Sequence, residues 1–510
     1  MSARTALLAI FLLAFIALAA PPARGDTSPP ATPEQQLLQA LAGLSHPPAA
    51  AAAEGGKTLA ADELARLAHR VRRRNIAASG LPPSSGLVLV MIDTLRADRL
   101  GVYGHALCTS PFLDRLADDG LMLERCFSPS PWTRPSMATV LTGTYSGRHR
   151  VFREKWDKLP PETIQLSEIL GACGFTTLAV NANPILGSWF GFDEGFDRYI
   201  DSDFLWKWMK GKVAPGKGAP KAPWNAGEVN AHAEALVSSL PEGPFFLQLV
   251  YLDVHPPRLP PAEYRATFTG PRYLSLYDAS ILYLDRFLQR LRAALRKAGR
   301  GDAWIVVFAD HGEGLNTDNH LASNRGHGFD LYDSLIRVPV IVHHPGLAPG
   351  LRGRRVAGHA STVDLAPTLL ELLGLPHRLP AFQGRSLVPR LLGGPAPAPG
   401  PFYAETQWRG VSRCALRLGD WKMVLHEQLK NGYSFPDIEP GDVELYRLDQ
   451  GDGEGDPTRN LASANREQVL RMRELLDAWR QENRPGGKAK KQAAPDEQTR
   501  ERLKALGYLQ

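Results

Sequence analysis

Three long apolar segments of the chain each end in residues that can bind a metal ion or carry a proton. Each segment is a run of Val, Ile, Leu and Phe with little polar alternation. Asp93 follows the segment 87–92, Asp253 and His255 follow 245–252, and Asp310 and His311 follow 304–309. This repeated placement is typical of an active site built at one edge of a sheet.

Continuous apolar runs predict strands that are buried on both faces, as in a parallel sheet covered by helices. In open α/β sheets ligands bind beyond the carboxyl ends of the strands, where residues distant in sequence converge. Helices are predicted at 111–120, 162–171, 275–298 and 363–373, and further strands at 176–180 and 338–342. The predicted fold class is therefore α/β, a doubly wound and mostly parallel sheet with helices on both faces.

A Thr-x-Pro-Ser sequence lies between the first two apolar segments. Pro135 suits the first turn of a helix, which puts Thr133 at a helix N-terminus, where unpaired amides and the helix dipole favour an anion. A hydroxyl there can act as a nucleophile when a metal ion also binds it. Alternatively, Thr133 serves only as the helix N-cap.

The strand-end residues supply a set of metal ligands. Asp93, Asp310 and His311 together suit zinc or manganese, whereas carboxylates alone suit magnesium or calcium. Two ions would stabilise the attacking and leaving oxygens of a displacement at phosphorus or sulfur. Further candidate ligands or substrate-binding residues are Asp253, which could instead orient a histidine, His255 and His327. The sequence predicts one or two divalent ions, with zinc or manganese favoured and calcium as an alternative.

Composition divides the chain into five segments. The first, 1–25, has Arg4 ahead of an apolar stretch at 6–20 and predicts a signal peptide, with an uncleaved anchor as the alternative. The second, 26–85, is an Ala/Pro-rich spacer with one helix at 60–74; the third, 86–392, carries the catalytic motifs; the fourth, 393–401, is a Gly/Pro linker. The last segment, 402–510, predicts a small C-terminal antiparallel sheet (414–418, 422–426, 444–448), a helix at 467–481 and a mobile stretch at 484–498.

A signal peptide predicts a periplasmic or secreted protein with no stable membrane span after cleavage. An oxidising compartment permits up to two disulfides among four cysteines, and Cys108 and Cys126 could pair across the helix at 111–120. Cys173 and Cys414 are predicted to be buried. The net charge of +6 weakly favours an anionic partner, here an ester substrate, and no nucleic-acid partner is predicted. The oligomeric state is left undetermined.

Several motifs occur in a characteristic order at 91–104, 133–143, 251–257, 310–313 and 326–339. In this order they resemble the signatures of the sulfatase family, which belongs to the alkaline phosphatase superfamily. The resemblance extends over nearly everything after residue 86. It implies a metal-dependent hydrolase of anionic esters.

Four positions depart from the usual sulfatase pattern. Thr133 stands where active sulfatases carry the Cys or Ser that is oxidised to formylglycine, and Met137 replaces the usual Arg after it. His327 replaces a lysine that contacts sulfate, and Thr94 replaces an aspartate. These residues resemble the phosphodiesterase, phosphonate monoester hydrolase and phosphoethanolamine or phosphoglycerol transferase branches, in which threonine attacks phosphorus.

The predicted activity is hydrolysis of a phosphodiester or phosphonate ester. Thr133 would attack, Asp93, Asp310 and His311 would hold the metal, and His255 and His327 would stabilise the transferring group or the leaving oxygen. The alternatives are sulfate-ester hydrolysis by an unmodified threonine, phosphoryl transfer, and non-catalytic binding of anionic glycans. Arg134 is predicted to bind a non-bridging substrate oxygen or, alternatively, to be paired on the surface. Asn183 is predicted to line the pocket or, the favoured alternative, to form a turn before Pro184.

Overall fold

The computed structural model describes residues 31–43, 60–153, 157–201, 224–315, 325–395, 400–428, 439–448, 454 and 457–483. Within these ranges no helix is long and apolar enough to cross a membrane. The signal peptide predicted at 1–25 and the mobile stretch predicted at 484–498 lie outside the described residues, as do positions 396–399 of the predicted linker.

The large sheet contains nine strands, all of them in the segment with the catalytic motifs. They are β1 (Gly86–Ile92), β2 (Leu121–Phe127), β3 (Thr176–Asn181), β4 (Arg198–Asp201), β5 (Phe245–Tyr251) and β6 (Trp304–Phe308), and, after the two-stranded ribbon of β7 (Gly314–Leu315) and β8 (Arg325–Gly326), β9 (Arg337–Val338), β10 (Val340–His343) and β11 (Arg354–Ser361). Their order is β11-β2-β10-β6-β1-β5-β3-β4, with β9 paired to β2. The β6-β1-β5-β3-β4 half is parallel throughout, which confirms the predicted fold class.

The strand predicted at 338–342 is divided in the structure. Pro339 separates β9 from β10, and β10 runs antiparallel to both β2 and β6. The sequence prediction missed β2 and β11, which form the far edge of the sheet. Both contain arginines among their apolar residues, so neither is a continuous apolar run.

The register of the central strands sets the positions of the two metal-ligand aspartates. Met91 of β1 pairs with Phe308 of β6, so Asp93 and Asp310, two residues further along, leave neighbouring strands at the same level. Directly after β1, the backbone N–H of Asp93 donates a 3.0 Å hydrogen bond to the carbonyl oxygen of Tyr251, at the end of β5. The carboxyl ends of β1, β5 and β6 therefore meet at one edge, as predicted.

Helices cover both faces of the sheet. They are α1 (Pro33–Gly43), α2 (Ala61–Ser79), α3 (Pro111–Asp118), α4 (Thr133–Thr142), α5 (Ser146–His149), α6 (Leu166–Ala172), α7 (Ala226–Ser238), α8 (Ala262–Arg265), α9 (Arg272–Lys297), α10 (Asp333–Ile336), α11 (Leu365–Leu372) and α12 (Val388–Leu391). The predicted helix at 162–171 begins only at α6, because its first residues precede a capping box between Gln165 and Glu168. The one predicted at 363–373 starts with a single 3₁₀ turn at Thr362–Asp364.

The N-terminal helices α1 and α2 are packed on the catalytic segment. Leu37 and Leu41 of α1 and Leu67 and Val71 of α2 belong to the same buried core as the large sheet. The Arg72 Nε donates a 3.0 Å hydrogen bond to the carbonyl oxygen of Leu373. The described part of the predicted spacer thus contributes to the core, and α1 was not anticipated.

The C-terminal segment forms a separate antiparallel sheet with one helix. Its strands, in spatial order, are β12 (Phe402–Trp408), β13 (Val411–Leu418), β14 (Trp421–Gln428) and β15 (Val443–Arg447), and its helix is α13 (Arg466–Glu482). Tyr403 stacks on Trp479 of the helix with ring centroids 4.6 Å apart. The antiparallel sheet and helix were predicted, but strand β12 was missed.

An ion-pair network links α10 to this second sheet. Asp333 accepts from Lys422 Nζ at 2.7 Å and lies 3.1 Å from Arg417 Nη1. Burial would raise the pKa of Asp333, but the two cations outweigh it and lower the pKa to about 2. The pKa of this carboxyl group is lower in the folded protein than in the unfolded chain, so its ionised form stabilises the fold. This contribution is present above about pH 4 and is lost as the pH falls towards 2.

All four cysteines are free thiols. Cys108 is exposed, whereas Cys126, Cys173 and Cys414 are buried. The proposed pairing of Cys108 with Cys126 was therefore wrong, because one thiol lies at the surface and the other within strand β2. The predicted burial of Cys173 and Cys414 is confirmed.

Candidate active site

Thr133 is the first residue of α4, and Trp132 occupies the N-cap position. The Thr133 hydroxyl is almost fully buried and lies 3.4 Å from Asp93 Oδ2 and 3.3 Å from His311 Nε2. One turn into the helix, Ser136 Oγ donates a 2.7 Å hydrogen bond to the backbone oxygen of Asp310. This bond fastens the helix N-terminus to the end of β6, so the hydroxyl faces the acidic residues instead of capping the helix.

Asp93, Asp310 and His311 form a compact buried group whose ligand atoms lie within 4.8 Å of one another. His311 Nε2 lies 3.9 Å from Asp93 Oδ1 and 3.3 Å from Asp310 Oδ2. The other ring nitrogen, Nδ1, is 2.8 Å from the carbonyl oxygen of Gly312, a contact that requires the proton to be on Nδ1. Nε2 therefore presents its lone pair to two carboxylate oxygens.

Protein hydrogen-bond donors do not satisfy all the polar atoms of this group. Asp93 Oδ1 and Asp310 Oδ2 are buried and have no hydrogen-bond partner among the described residues. Burial lowers the pKa of His311 well below its usual value, which keeps the ring neutral. Burial and the neighbouring Asp310 raise the pKa of Asp93, and burial raises that of Asp310 to about 7. A divalent cation is the group that satisfies two buried carboxylates and a neutral imidazole, so the donor set fits a metal ion.

A strained residue orients Asp310. Thr94 has a φ of 59°, in the left-handed region that threonine rarely adopts. In this conformation its N–H donates to Asp310 Oδ1 at 3.2 Å, and its carbonyl accepts from the Tyr277 hydroxyl at 2.6 Å. The second Asp310 oxygen is left to face His311.

Asn183 serves the site and a turn at the same time. Its Nδ2 donates a 2.5 Å hydrogen bond to Asp93 Oδ2, and its Oδ1 accepts from the backbone N–H of Ile185. The sequence favoured the turn alone, because Pro184 follows directly. The contact with Asp93 depends on β3 ending beside β5, which is a tertiary feature.

Of the other predicted site residues, His255 and His327 lie beside the metal-ligand group and Asp253 does not. The rings of His255 and His327 have centroids 5.1 Å apart, and the His327 ring is 4.6 Å from that of His311. Asp253 is not brought into the group: its Oδ1 accepts at 2.9 Å from the N–H of Ala226, the first residue of α7. Burial raises the pKa of Asp253 to about 7.

Comparison with known proteins identifies the family of this chain. The family model for sulfatases matches residues 86–375, which is more than half of the chain. This chain belongs to the sulfatase family. N-acetylgalactosamine-6-sulfatase of Rattus norvegicus is 25% identical over 415 residues, covering 71% of this chain and 76% of that protein. Arylsulfatase A of Homo sapiens is 26% identical over 393 residues, covering 67% and 74%.

A phosphonate monoester hydrolase of Agrobacterium radiobacter shares the fold, with a TM-score of 0.63. It is 22% identical in sequence, and the match covers 79% of this chain and 96% of that one. Membership of the family makes the protein a hydrolase of the alkaline phosphatase superfamily. Enzymes of this family use a divalent metal, which agrees with the chemistry of the Asp93, Asp310 and His311 group.

Arg134 lies inside this sulfatase-family fold and not on its surface. It is fully buried, with its guanidinium 4.0 Å from the ring centroid of Phe190. Its Nη1 donates a 2.9 Å hydrogen bond to the carbonyl oxygen of Asp157. The alternative that Arg134 is paired on the surface was therefore wrong.

Two residues of the site escaped the sequence analysis. Glu313, fully buried, lies 3.3 Å from His327 Nδ1 and 2.7 Å from Arg258 Nη2. Glu313 belongs to the motif at 310–313, and this position was a signal for the site. The sequence analysis nevertheless assigned Glu313 no role. Arg258 lies in a Pro-rich loop whose sequence gives no indication of burial.

Proposed function

We propose that this protein hydrolyses a phosphodiester or phosphonate monoester, with Thr133 as the nucleophile. The observation that carries the proposal is the hydroxyl of Thr133 at the N-terminus of α4, 3.3 Å from the lone-pair nitrogen of His311 and 3.4 Å from Asp93. The helix dipole and the unpaired amides at this position favour the negative charge of an ionised hydroxyl and of the transferring group.

Asp93, Asp310 and His311 would hold the divalent metal, with zinc or manganese favoured, calcium an alternative, and Thr133 a further ligand. The bound ion lowers the pKa of a hydroxyl and stabilises negative charge on the transferring oxygens. Asn183 keeps Asp93 in place through its 2.5 Å hydrogen bond, and the Thr94 amide does the same for Asp310. With a single ion at that group, His255 and His327 are left to contact the substrate; a second ion is the alternative use of these two rings.

The reaction would proceed in two displacements at phosphorus. In the first, the Thr133 oxygen loses its proton and bonds to phosphorus, while the bond to the alkoxide or phenoxide breaks and the leaving oxygen takes up a proton. In the second, water attacks phosphorus, the bond to Thr133 breaks, and a proton returns to the threonine. His255 and His327 would stabilise the leaving oxygen, and Arg134 would act as a substrate-binding residue.

Sulfate-ester hydrolysis by unmodified Thr133 is the second candidate. It is favoured by the curated relatives, which are named as sulfatases. We rank it lower because Thr133 cannot become formylglycine, whose hydrated aldehyde offers an easy route for release of the sulfate. A sulfated threonine would accumulate. Phosphoryl transfer and non-catalytic binding of anionic glycans are further alternatives, and the intact ligand set argues against the latter.

The test is a matched panel of aryl esters, namely a phosphodiester, a phosphonate monoester and a sulfate, assayed with protein loaded with zinc, manganese or calcium. We expect many turnovers on a phosphorus ester and a single burst or slow release from the sulfate. Steady sulfate release that exceeds phosphorus-ester turnover would reverse the ranking. Absence of turnover on every ester would leave the non-catalytic binding alternative.

We also propose that the enzyme is exported to the periplasm or the medium through a signal peptide at 1–25. The sequence support is Arg4 followed by the apolar stretch at 6–20. N-terminal sequencing of protein purified from the periplasmic fraction should begin after the apolar stretch. A mature chain that retains Met1 in the membrane fraction would instead support the uncleaved anchor.

A further inference from the structure

A buried ion pair lies directly behind His327. Glu313 Oε2 accepts from Arg258 Nη2 at 2.7 Å, and both side chains are almost fully excluded from solvent. The guanidinium also lies over two aromatic rings, 4.8 Å from the centroid of Tyr273 and 4.9 Å from that of Tyr277. The buried guanidinium is therefore paired with one carboxylate and packed against two rings, which fits the need of a buried charge for a partner.

The pair connects the two loops that carry the outer histidines. The second carboxylate oxygen, Glu313 Oε1, lies 3.3 Å from Nδ1 of His327. The Arg258 Nε donates a 2.7 Å hydrogen bond to the carbonyl oxygen of Val254, the residue before His255. One carboxylate and one guanidinium thus fix the positions of both histidine loops relative to the end of β6.

Both carboxylate oxygens of Glu313 are occupied, which argues against a role as a metal ligand. One faces Arg258 and the other His327, and Glu313 is absent from the group formed by Asp93, Asp310 and His311. A carboxylate that accepts from one ring nitrogen of a histidine determines the tautomer and the orientation of that ring. The remaining nitrogen, Nε2, is then the one available to a substrate.

We propose that Glu313 is a positioning residue for His327, with Arg258 as its fixed counter-ion. Glu313 accepts a hydrogen bond from Nδ1–H of His327 and thereby presents Nε2 to the leaving oxygen of the ester. The role of His327 at the leaving oxygen rests on the proposed function. The orientation of its ring by Glu313 does not depend on turnover and can be observed separately.

The kinetic test is a double-mutant cycle of Glu313→Gln and His327→Ala, assayed on aryl esters with a good leaving group, 4-nitrophenol, and a poor one, phenol. We expect Glu313→Gln to lower kcat about 10- to 100-fold on the phenyl ester, less on the nitrophenyl ester, with little change in KM. In the His327→Ala background the same change should cost less than about twofold, because residues that act through one another are not additive. Equal losses in both backgrounds would overturn the proposal.

Two controls separate positioning from damage. The double variant Glu313→Gln, Arg258→Met removes the unpaired buried cation and provides a folded alternative if Glu313→Gln is unstable. Glu371 makes a comparable pair with His377 at 3.4 Å, away from the site, so Glu371→Gln should leave the kinetics unchanged. A fall in metal content in Glu313→Gln would overturn the proposal, since the residue would then act through the His311 loop.

A measurement without turnover decides the same point. In protein labelled with ¹⁵N-histidine, the His327 signals, identified by their loss in His327→Ala, should show a proton on Nδ1. A neutral ring with its only proton on Nε2 would refute the role of Glu313. If wild-type protein hydrolyses no ester, the proposed function fails, and the NMR result still decides the positioning of His327.

Discussion

Replacing Thr133 with valine should separate catalysis from folding. Valine keeps the β-branched shape of threonine and has a methyl group in place of the hydroxyl, so it leaves no cavity at the start of α4. The hydroxyl has one hydrogen and two long contacts, 3.4 Å to Asp93 and 3.3 Å to His311, both of which are acceptors, so the change removes a single long hydrogen bond. Asp93 Oδ2 keeps its 2.5 Å hydrogen bond from Asn183, so no buried carboxylate oxygen loses its main partner.

The magnitudes of the two effects are far apart. Removal of a long hydrogen bond of this kind should change the free energy of unfolding by about 1 kcal/mol. Removal of a nucleophile should lower kcat by about 10⁴-fold or more, which corresponds to about 5.5 kcal/mol of activation free energy. Metal content should change little, because Asp93, Asp310 and His311 are intact.

The assay measures kcat on the best aryl phosphorus ester together with urea denaturation and elemental analysis of each variant. Thr133→Ser is the matched control: it keeps the hydroxyl and should lose at most about 100-fold, because a serine rotates more freely and misplaces the oxygen. A Thr133→Val protein that is folded, metal-loaded and within about tenfold of wild-type activity would refute the assignment of the nucleophile.

Three further predictions follow from the ligand group, the ion-pair network and the thiols. Asp310→Asn should weaken metal binding by more than about tenfold by elemental analysis after dialysis, whereas Asp253→Asn should retain wild-type metal content; equal losses would place Asp253 among the ligands. Asp333→Asn should lower the free energy of unfolding at pH 7 by about 2 kcal/mol, because Lys422 loses a partner, and urea denaturation at pH 3 should show a smaller difference from wild type. An unchanged difference would contradict the lowered pKa of Asp333. Without reductant, a thiol reagent should titrate four thiols in denaturant and only Cys108 in the native protein, and two thiols in denaturant would indicate a disulfide.

Local sequence patterns were sufficient to identify the parallel core and the strand-end acids. A strand buried on both faces must be apolar throughout, so 87–92, 245–252 and 304–309 were recognisable without knowledge of their neighbours. The residues that follow such strands meet at one edge by the geometry of the sheet, which is why Asp93, Asp310 and His311 could be grouped in advance. Pro135 likewise indicated where α4 begins.

Sequence patterns predicted the structure less well where the conformation or position of a segment depends on the element it packs against. Leu37 and Leu41 lie in an Ala/Pro-rich stretch, and only their packing on the core makes α1 part of the catalytic unit. The antiparallel direction of β10 depends on where β2 and β6 lie, which no local pattern encodes. The exposure of Cys108 likewise depends on how distant elements pack, which its local sequence does not encode.

The pairing of polar groups across the site became visible only in the folded chain. Asn183 reaches Asp93, and Arg258 reaches Glu313, across separations of 90 and 55 residues. Folding also directs Asp253 to the N-terminus of α7 instead of the metal-ligand group. Hydrogen bonds act over about 3 Å, so the packing of distant elements determines which partner a side chain has. Burial and periodicity, by contrast, follow from the local sequence.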